Sequence, residues 1–416
     1  MVARNKNNPL VELHALVYGG DAIGRLEDGR ICFVSFGLPG ELVEIKIIEE
    51  HKNHARGEIL RILKPAASRI EPRCRHFGIC GGCHYQHMTY EEQLQTKQRI
   101  LAEQLQRFAR LSNPPVQPII PSPSAWNYRN TVQFHLSDNG KLGFQQIHIP
   151  QTIEIQECHL PEETINQVWP CVQIDPSSGV KEAALRTGSG QDILLVLKSD
   201  SSRLPEFSVD FPISAVYITP NGSTVLSGDE YIVMSVCGKL FRVSASSFFQ
   251  VNTAQTEKLV QVLLQMISLE NNPVVLELYS GVGLFTAFLA EQASKCLAIE
   301  ISPSACSDFV WNMDRFDNVS LYMGSAEQVL TSLEIDYANV IVVDPPRAGL
   351  SKLVLYQIEK LHPNEIAYIS CDPATLARDI RHLMAAGYRL EEITPIDLFP
   401  QTYHIESISL LRKTPA

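Results

Sequence analysis

The chain has 416 residues, 45% of them hydrophobic and 19% charged, with a formal net charge of −11. That balance excludes a disordered chain and predicts two or three globular domains. No run of about 18 apolar residues is present to make a membrane helix, and residues 1–9 lead into no apolar signal segment, so a cytoplasmic location is expected.

Residues 9–63 alternate apolar and polar positions in short runs separated by Gly19-Gly20-Asp21 and Gly37-Leu38-Pro39-Gly40. Even spacing of this kind predicts a small OB-like barrel. Arg25, Arg30, Lys52 and Arg56 are its candidate RNA contacts, and a purely structural barrel is the competing reading. Charge is uneven along the chain. Residues 1–130 carry 17 Lys+Arg against 13 Asp+Glu, and residues 64–129 alone carry nine against four. A basic face on an acidic enzyme and chance clustering both explain this pattern.

Residues 64–90 are rich in Cys, His and Gly. Residues 91–111 predict a helix with Leu94, Leu101, Leu105, Phe108 and Leu111 on its packing stripe, and with Lys97, Arg99, Arg107 and Arg110 elsewhere. A mainly β region follows over 126–245. From 253 onward helices and strands alternate, which predicts a doubly wound α/β domain with a mostly parallel sheet.

In that last region Glu277-Leu278-Tyr279-Ser280-Gly281-Val282-Gly283 follows the first strand. Gly281 and Gly283 let backbone approach a ligand at the carboxyl end of a strand, where α/β folds bind cofactors. Glu300 ends the next strand, 23 residues after Glu277, where a carboxylate suits ribose hydroxyls. Asp344-Pro345-Pro346-Arg347 follows a later strand, and its prolines stiffen the loop that carries Asp344. Ser370-Cys371-Asp372-Pro373 places a cysteine at a strand end just before a helix, a setting that favours the reactive thiolate. Near the end stands Phe399-Pro400-Gln401-Thr402-Tyr403-His404-Ile405-Glu406.

Ten cysteines in a long cytosolic chain point to metal binding or catalysis. Cys74, Cys80 and Cys83, with the distant Cys158, offer four thiolates for a 4Fe–4S cluster or a zinc ion. A zinc site using His76, His84 or His87 is a rival, as is a haem attachment at Cys80-Gly81-Gly82-Cys83-His84. Cys32, Cys171, Cys237, Cys296 and Cys306 are assigned no role.

Together these motifs resemble the RNA (uracil-5-)-methyltransferase family, including the bacterial 23S ribosomal RNA enzymes. The resemblance runs nearly the whole chain and includes Phe248-Phe249-Gln250-Val251-Asn252. It implies a TRAM-like barrel over 1–63, a central domain with the Cys-rich insert over 64–245, and a class I S-adenosylmethionine-dependent methyltransferase domain over 246–416. It makes Cys371 the nucleophile and Glu406 the proton acceptor. It puts Gln250, Tyr279, Gly281, Gly283, Glu300, Ser325 and Asp344 at cofactor or uracil positions, and a 4Fe–4S cluster on Cys74, Cys80, Cys83 and Cys158. The implied substrate is RNA, with 23S ribosomal RNA favoured over transfer RNA, and no membrane partner. An amino- or protein-methyltransferase would share Asp-Pro-Pro-Arg, but it leaves Cys371 and Glu406 unexplained. A non-catalytic RNA-binding protein is the other rival.

Overall fold

Alternation along Leu10–Leu16 buries Val11, Leu13 and Leu16 and turns Leu10 and Glu12 outward. Five such strands, Leu10–Leu16, Ala22–Arg25, Ile31–Val34, Leu42–Glu50 and His54–Lys64, close into a barrel in the computed structural model, which describes residues 8–414 apart from 148, 202, 206, 209, 210, 334 and 336. Closure leaves no strand edge unpaired. Two of the four candidate RNA-binding cations on this barrel are ion-paired within it. Arg30 meets Asp28 at 2.7 Å and Glu50 at 2.8 Å, and Arg56 meets Asp21 at 2.8 Å.

Thr89 caps the next helix, Tyr90–Gln104, by accepting from the Glu92 amide. One wider π turn, Leu105–Ala109, extends it. That turn shifts the register, so Ala109 points inward and Phe108, expected on the packing stripe, is 39% exposed. The buried face is Gln93, Thr96, Lys97, Ile100 and Leu101. Lys97 therefore lies on the packed side, contrary to the sequence expectation. A charged partner explains this: its Nζ donates to Asp397 Oδ1 at 2.6 Å and to the Phe399 carbonyl at 2.9 Å. Tyr90 Oη donates to the other Asp397 oxygen at 2.8 Å. Ile100, Leu101, Leu105 and Ala109 pack into the core around Leu376 and Leu383.

The central region is a seven-stranded sheet in the order Gly222–Ser227, Ser214–Thr219, Ile193–Ser199, Val180–Thr187, Thr131–Leu136, Leu142–Gln146, Ile149–Glu154. A hairpin, Tyr231–Val236 with Lys239–Ser244, turns at Cys237 and Gly238, both at positive φ. Its apolar face joins Leu194 and Val196 of the sheet to Leu259 and Phe288 beyond it.

The last sheet runs Val319–Met323, Lys295–Glu300, Val274–Leu278, Val340–Val343, Glu365–Ser370, Glu406–Lys413, Tyr388–Ile396. The first five strands are mutually parallel, Glu406–Lys413 runs antiparallel to them, and Tyr388–Ile396, antiparallel to Glu406–Lys413, runs with the first five again. Near-continuous apolar runs such as Val340–Val343 are buried throughout, as a sheet covered on both faces requires.

Lys97→Met leaves Asp397 buried without its cation. The expected cost is about 3–5 kcal/mol, measured by urea unfolding. A loss below about 1 kcal/mol, as for an exposed pair, would contradict the role given to this ion pair.

Candidate active site

The glycine loop opens at Tyr279, a non-glycine residue at φ 63°. Such backbone costs free energy and persists where packing enforces it. A Cβ on Gly281 would meet nothing within 4 Å, so open space lies above it. A Cβ on Gly283 would stand 2.9 Å from Phe309, so this glycine lets the loop rest on the helix Pro303–Met313. The Glu300 carboxylate accepts from the amides of Gly281 at 2.8 Å, Ile301 at 2.9 Å and Ser302 at 2.7 Å. That carboxylate joins the glycine loop to the end of the neighbouring strand.

Tyr279, Glu300 and Ser325 line one cleft of about 850 Å³. Ser325 also caps the helix Ala326–Ser332, accepting from the Gln328 amide. Cys371, Glu406 and Gln250 are not among the described residues that line this cleft. Pro346 does line it, so the loop bearing Asp344 borders the cleft on one side.

Gln250 is buried, and its backbone is tethered from the central sheet: Asn130 Nδ2 donates to the Gln250 carbonyl at 3.0 Å, and the Val251 carbonyl accepts from the Asn130 amide at 2.9 Å. Upstream, the buried Asp308 accepts from the Ser244 amide and from the hydroxyls of Ser244 and Ser247.

Cys371 and Glu406 meet through strand register. Glu365–Ser370 pairs antiparallel with Glu406–Lys413, with Ser370 opposite Ser407. One step further, Cys371 comes opposite Glu406. Burial, then Glu406, then Asp344 push the Cys371 thiol up to about 12, and Arg347 opposes them. Burial and Asp344 likewise hold Glu406 well above the usual carboxylate range, again against Arg347. Burial alone raises Asp344 to about 7. Three acidic groups thus share one partly dry site with one guanidinium.

This changes the expectation for the thiol. The helix Pro373–Ala385 does begin two residues after Cys371, but Asp372 takes its first amides, accepting from Ala374 at 3.0 Å and Thr375 at 2.9 Å. The helix terminus serves Asp372, and the free enzyme keeps Cys371 protonated at neutral pH.

Cys74, Cys80, Cys83 and Cys158 are all free thiols and line a second hollow of about 300 Å³. Burial raises all four, Cys158 to about 12. Among the described residues no three His, Cys, Asp or Glu side chains are grouped to hold a single metal ion. Of the rival zinc ligands, His76 Nε2 accepts from the Gln156 amide at 3.0 Å. His87 packs on Phe36 and Phe77. Thr402 and His404, from the segment ending in Glu406, also line the hollow.

The tRNA (uracil-5-)-methyltransferase family model matches residues 223–414, and the TRAM domain model matches residues 10–60. A protein of Aquifex aeolicus named an uncharacterized RNA methyltransferase is 36% identical, with 98% of this chain and 99% of that protein covered. A protein of the same name from Halalkalibacterium halodurans is 32% identical over 98% of this chain and 97% of its own. The chain belongs to the RNA (uracil-5-)-methyltransferase family. The S-adenosylmethionine-dependent enzymes of this family share its class I fold. The crystal structure of Pyrococcus abyssi tRNA (uracil-54, C5)-methyltransferase with S-adenosyl-L-homocysteine superposes with a TM-score of 0.74 at 22% identity, covering 96% of this chain and 99% of that one.

Three residues near the methyltransferase site carried no role in the sequence reading. Arg347 is the cation that opposes the rise of Cys371 and Glu406, and its Nη2 lies 3.3 Å from both ring nitrogens of His404. Burial drives the His404 ring well below its ordinary value, with Arg347 adding to the effect, so it is neutral there. Glu277 is buried beneath the glycine loop, bonded to the Thr286 hydroxyl, and raised to about 8. Its signal was legible, since a carboxylate in the last turns of a buried strand is out of place unless a site uses it.

At pH 8 a thiol raised to about 12 holds roughly 1,000-fold less thiolate than an unperturbed one. Iodoacetamide labelling mapped by peptide mass should therefore find Cys371 slow in the free methyltransferase and faster in Glu406→Gln. Equal rates in the two proteins would contradict the electrostatic account.

Proposed function

We propose that this RNA methyltransferase transfers the methyl group of S-adenosylmethionine to C5 of a uridine in 23S ribosomal RNA through a Cys371 adduct. The observation that carries the reading is the pairing of Ser370 with Ser407, next to which Glu406 acts electrostatically on the Cys371 thiol. Uracil C5 is a poor nucleophile. Addition of Cys371 Sγ to C6 pushes the ring electrons to O4, and the enolate then attacks the methyl carbon from C5. The methyl–sulfonium bond breaks and S-adenosylhomocysteine leaves. Glu406 takes the C5 proton, the ring electrons return, and the C6–sulfur bond breaks.

Asp344, raised by burial to about 7, is partly ionised at neutral pH and is the proposed acceptor of the thiol proton once substrate stabilises the thiolate. Glu406 must be ionised when it accepts the C5 proton, and the Arg347 charge favours that form. Tyr279, Gly281, Glu300 and Ser325 are the proposed cofactor contacts, with open space at Gly281 and the cleft at the other three. Gln250 and Asp344 are the proposed contacts on the uracil side. A duplex-embedded uridine must leave its stack to reach the thiol.

Cys74, Cys80, Cys83 and Cys158 would hold a 4Fe–4S cluster. Four unpaired thiols around one hollow suit a cluster, whose cysteines stand further apart than the ~3.8 Å implied by tetrahedral zinc–sulfur bonds. Bound there, it would cross-link residues 74–83 to Cys158. Iron and sulfide analysis of anaerobically purified protein tests this assignment. The barrel together with the four cysteines supports ribosomal RNA. Transfer RNA is the second reading, favoured by the Pyrococcus enzyme of the same fold.

RNA tritiated at uracil C5 tests the proposal. Tritium should reach water from ribosomal RNA and not from transfer RNA, and Glu406→Gln should accumulate the covalent RNA adduct. No release from either RNA would sink the proposal. Release from transfer RNA alone would move the substrate.

A further inference from the structure

The barrel and the catalytic sheet exchange aromatic residues at the active site. Tyr18 lies just beyond the first barrel strand, yet its ring packs against the catalytic core around Leu376 and Tyr368. Tyr403 lies three residues before Glu406, yet it packs against the barrel core around Leu16 and Tyr85. The two rings meet edge to face, with centroids 5.5 Å apart and planes at 88°. Tyr403 in turn packs on His404 at 4.4 Å, beside Arg347.

Tyr18 also reaches the nucleophile loop. Its Oη donates to the Cys371 carbonyl at 3.4 Å, across 353 residues of chain. Burial, then the adjacent Asp372 carboxylate, push the phenol above its ordinary value, so it stays a protonated donor. The neighbouring Gly20, at φ +94°, brings the same turn against His84, where a Cβ would stand 3.3 Å away. The Gln401 carbonyl accepts from the amides of His84 at 2.9 Å and Tyr85 at 3.0 Å. The barrel turn therefore touches the Cys371 loop directly and the Glu406 segment through Tyr403 and His84.

We infer that Tyr18 is a positioning residue for methyl transfer: with Tyr403 it clasps the Cys371 loop against the Glu406 segment, so the barrel sets catalytic geometry. This rests on the Cys371 mechanism proposed above. A barrel that only captured RNA would need no side chain on the nucleophile loop. A general interface would have no reason to place the Tyr18 hydroxyl on the Cys371 carbonyl.

The test is single-turnover methyl transfer at saturating RNA and S-adenosylmethionine, with RNA affinity measured separately. Tyr18→Ala should slow transfer on the order of 10- to 100-fold, as misplaced reacting groups do, while RNA affinity stays within about threefold of wild type. Tyr18→Phe keeps the ring and loses the hydrogen bond, so it should slow transfer only about 3- to 10-fold. It also decides the matter if Tyr18→Ala does not fold. Unchanged transfer rates, or a loss confined to RNA affinity, would overturn the clasp. Wild-type protein that releases no C5 tritium would instead overturn the mechanism on which the clasp rests.

Discussion

The antiparallel pairing of Ser370 with Ser407 is the constraint on which the site depends. It joins two chain segments that carry unrelated chemistry, a strand-end cysteine and the glutamate that opens the next-but-one strand. Side chains alternate faces along a strand, so a one-residue slip would turn one of the pair away. Buried apolar residues on both strands hold that register: Ile366, Ile369, Ile408 and Leu411 are all inaccessible. The parallel half of the same sheet delivers Tyr279, Glu300 and Asp344 to the carboxyl ends of its strands, where such folds bind ligands.

Bringing these groups together creates a surplus of acid. Burial raises Cys371, Glu406 and Asp344, Asp344 adds to the rise of the other two, and Arg347 opposes the rise of Cys371 and Glu406. The resting thiol is consequently protonated. A neutral thiol is a weak nucleophile and a poor target for oxidants. On the proposed mechanism, substrate must reorganise these charges before the thiol can react.

Much of this was legible in the sequence because it is local. The glycine loop, Asp344-Pro345-Pro346-Arg347, Cys371 and Glu406 each sit in a short motif at a strand end, and periodicity located the strands. What was hidden is what joins distant segments. Lys97 looked like a solvent-facing helix residue, and only Asp397, 300 positions away, explains its burial. The π turn at Leu105–Ala109 changes a helical stripe without any glycine or proline to announce it. The thiol's environment was misread for a similar reason. The helix terminus is visible in Asp372-Pro373, but its capture by Asp372 and the carboxylates across the sheet are not. Nothing local marks Tyr18, whose hydrogen bond to the Cys371 carbonyl spans 353 positions.

The central claim is that Cys371 bonds to uracil C6 while Glu406 waits opposite. RNA containing 5-fluorouridine tests it most directly, because fluorine at C5 cannot leave as a proton and the adduct should stall. Peptide mass mapping of the stalled complex with S-adenosylmethionine should find the methylated fluorouridine on Cys371 alone. An adduct on another cysteine, or methyl transfer with no adduct at all, would contradict the account.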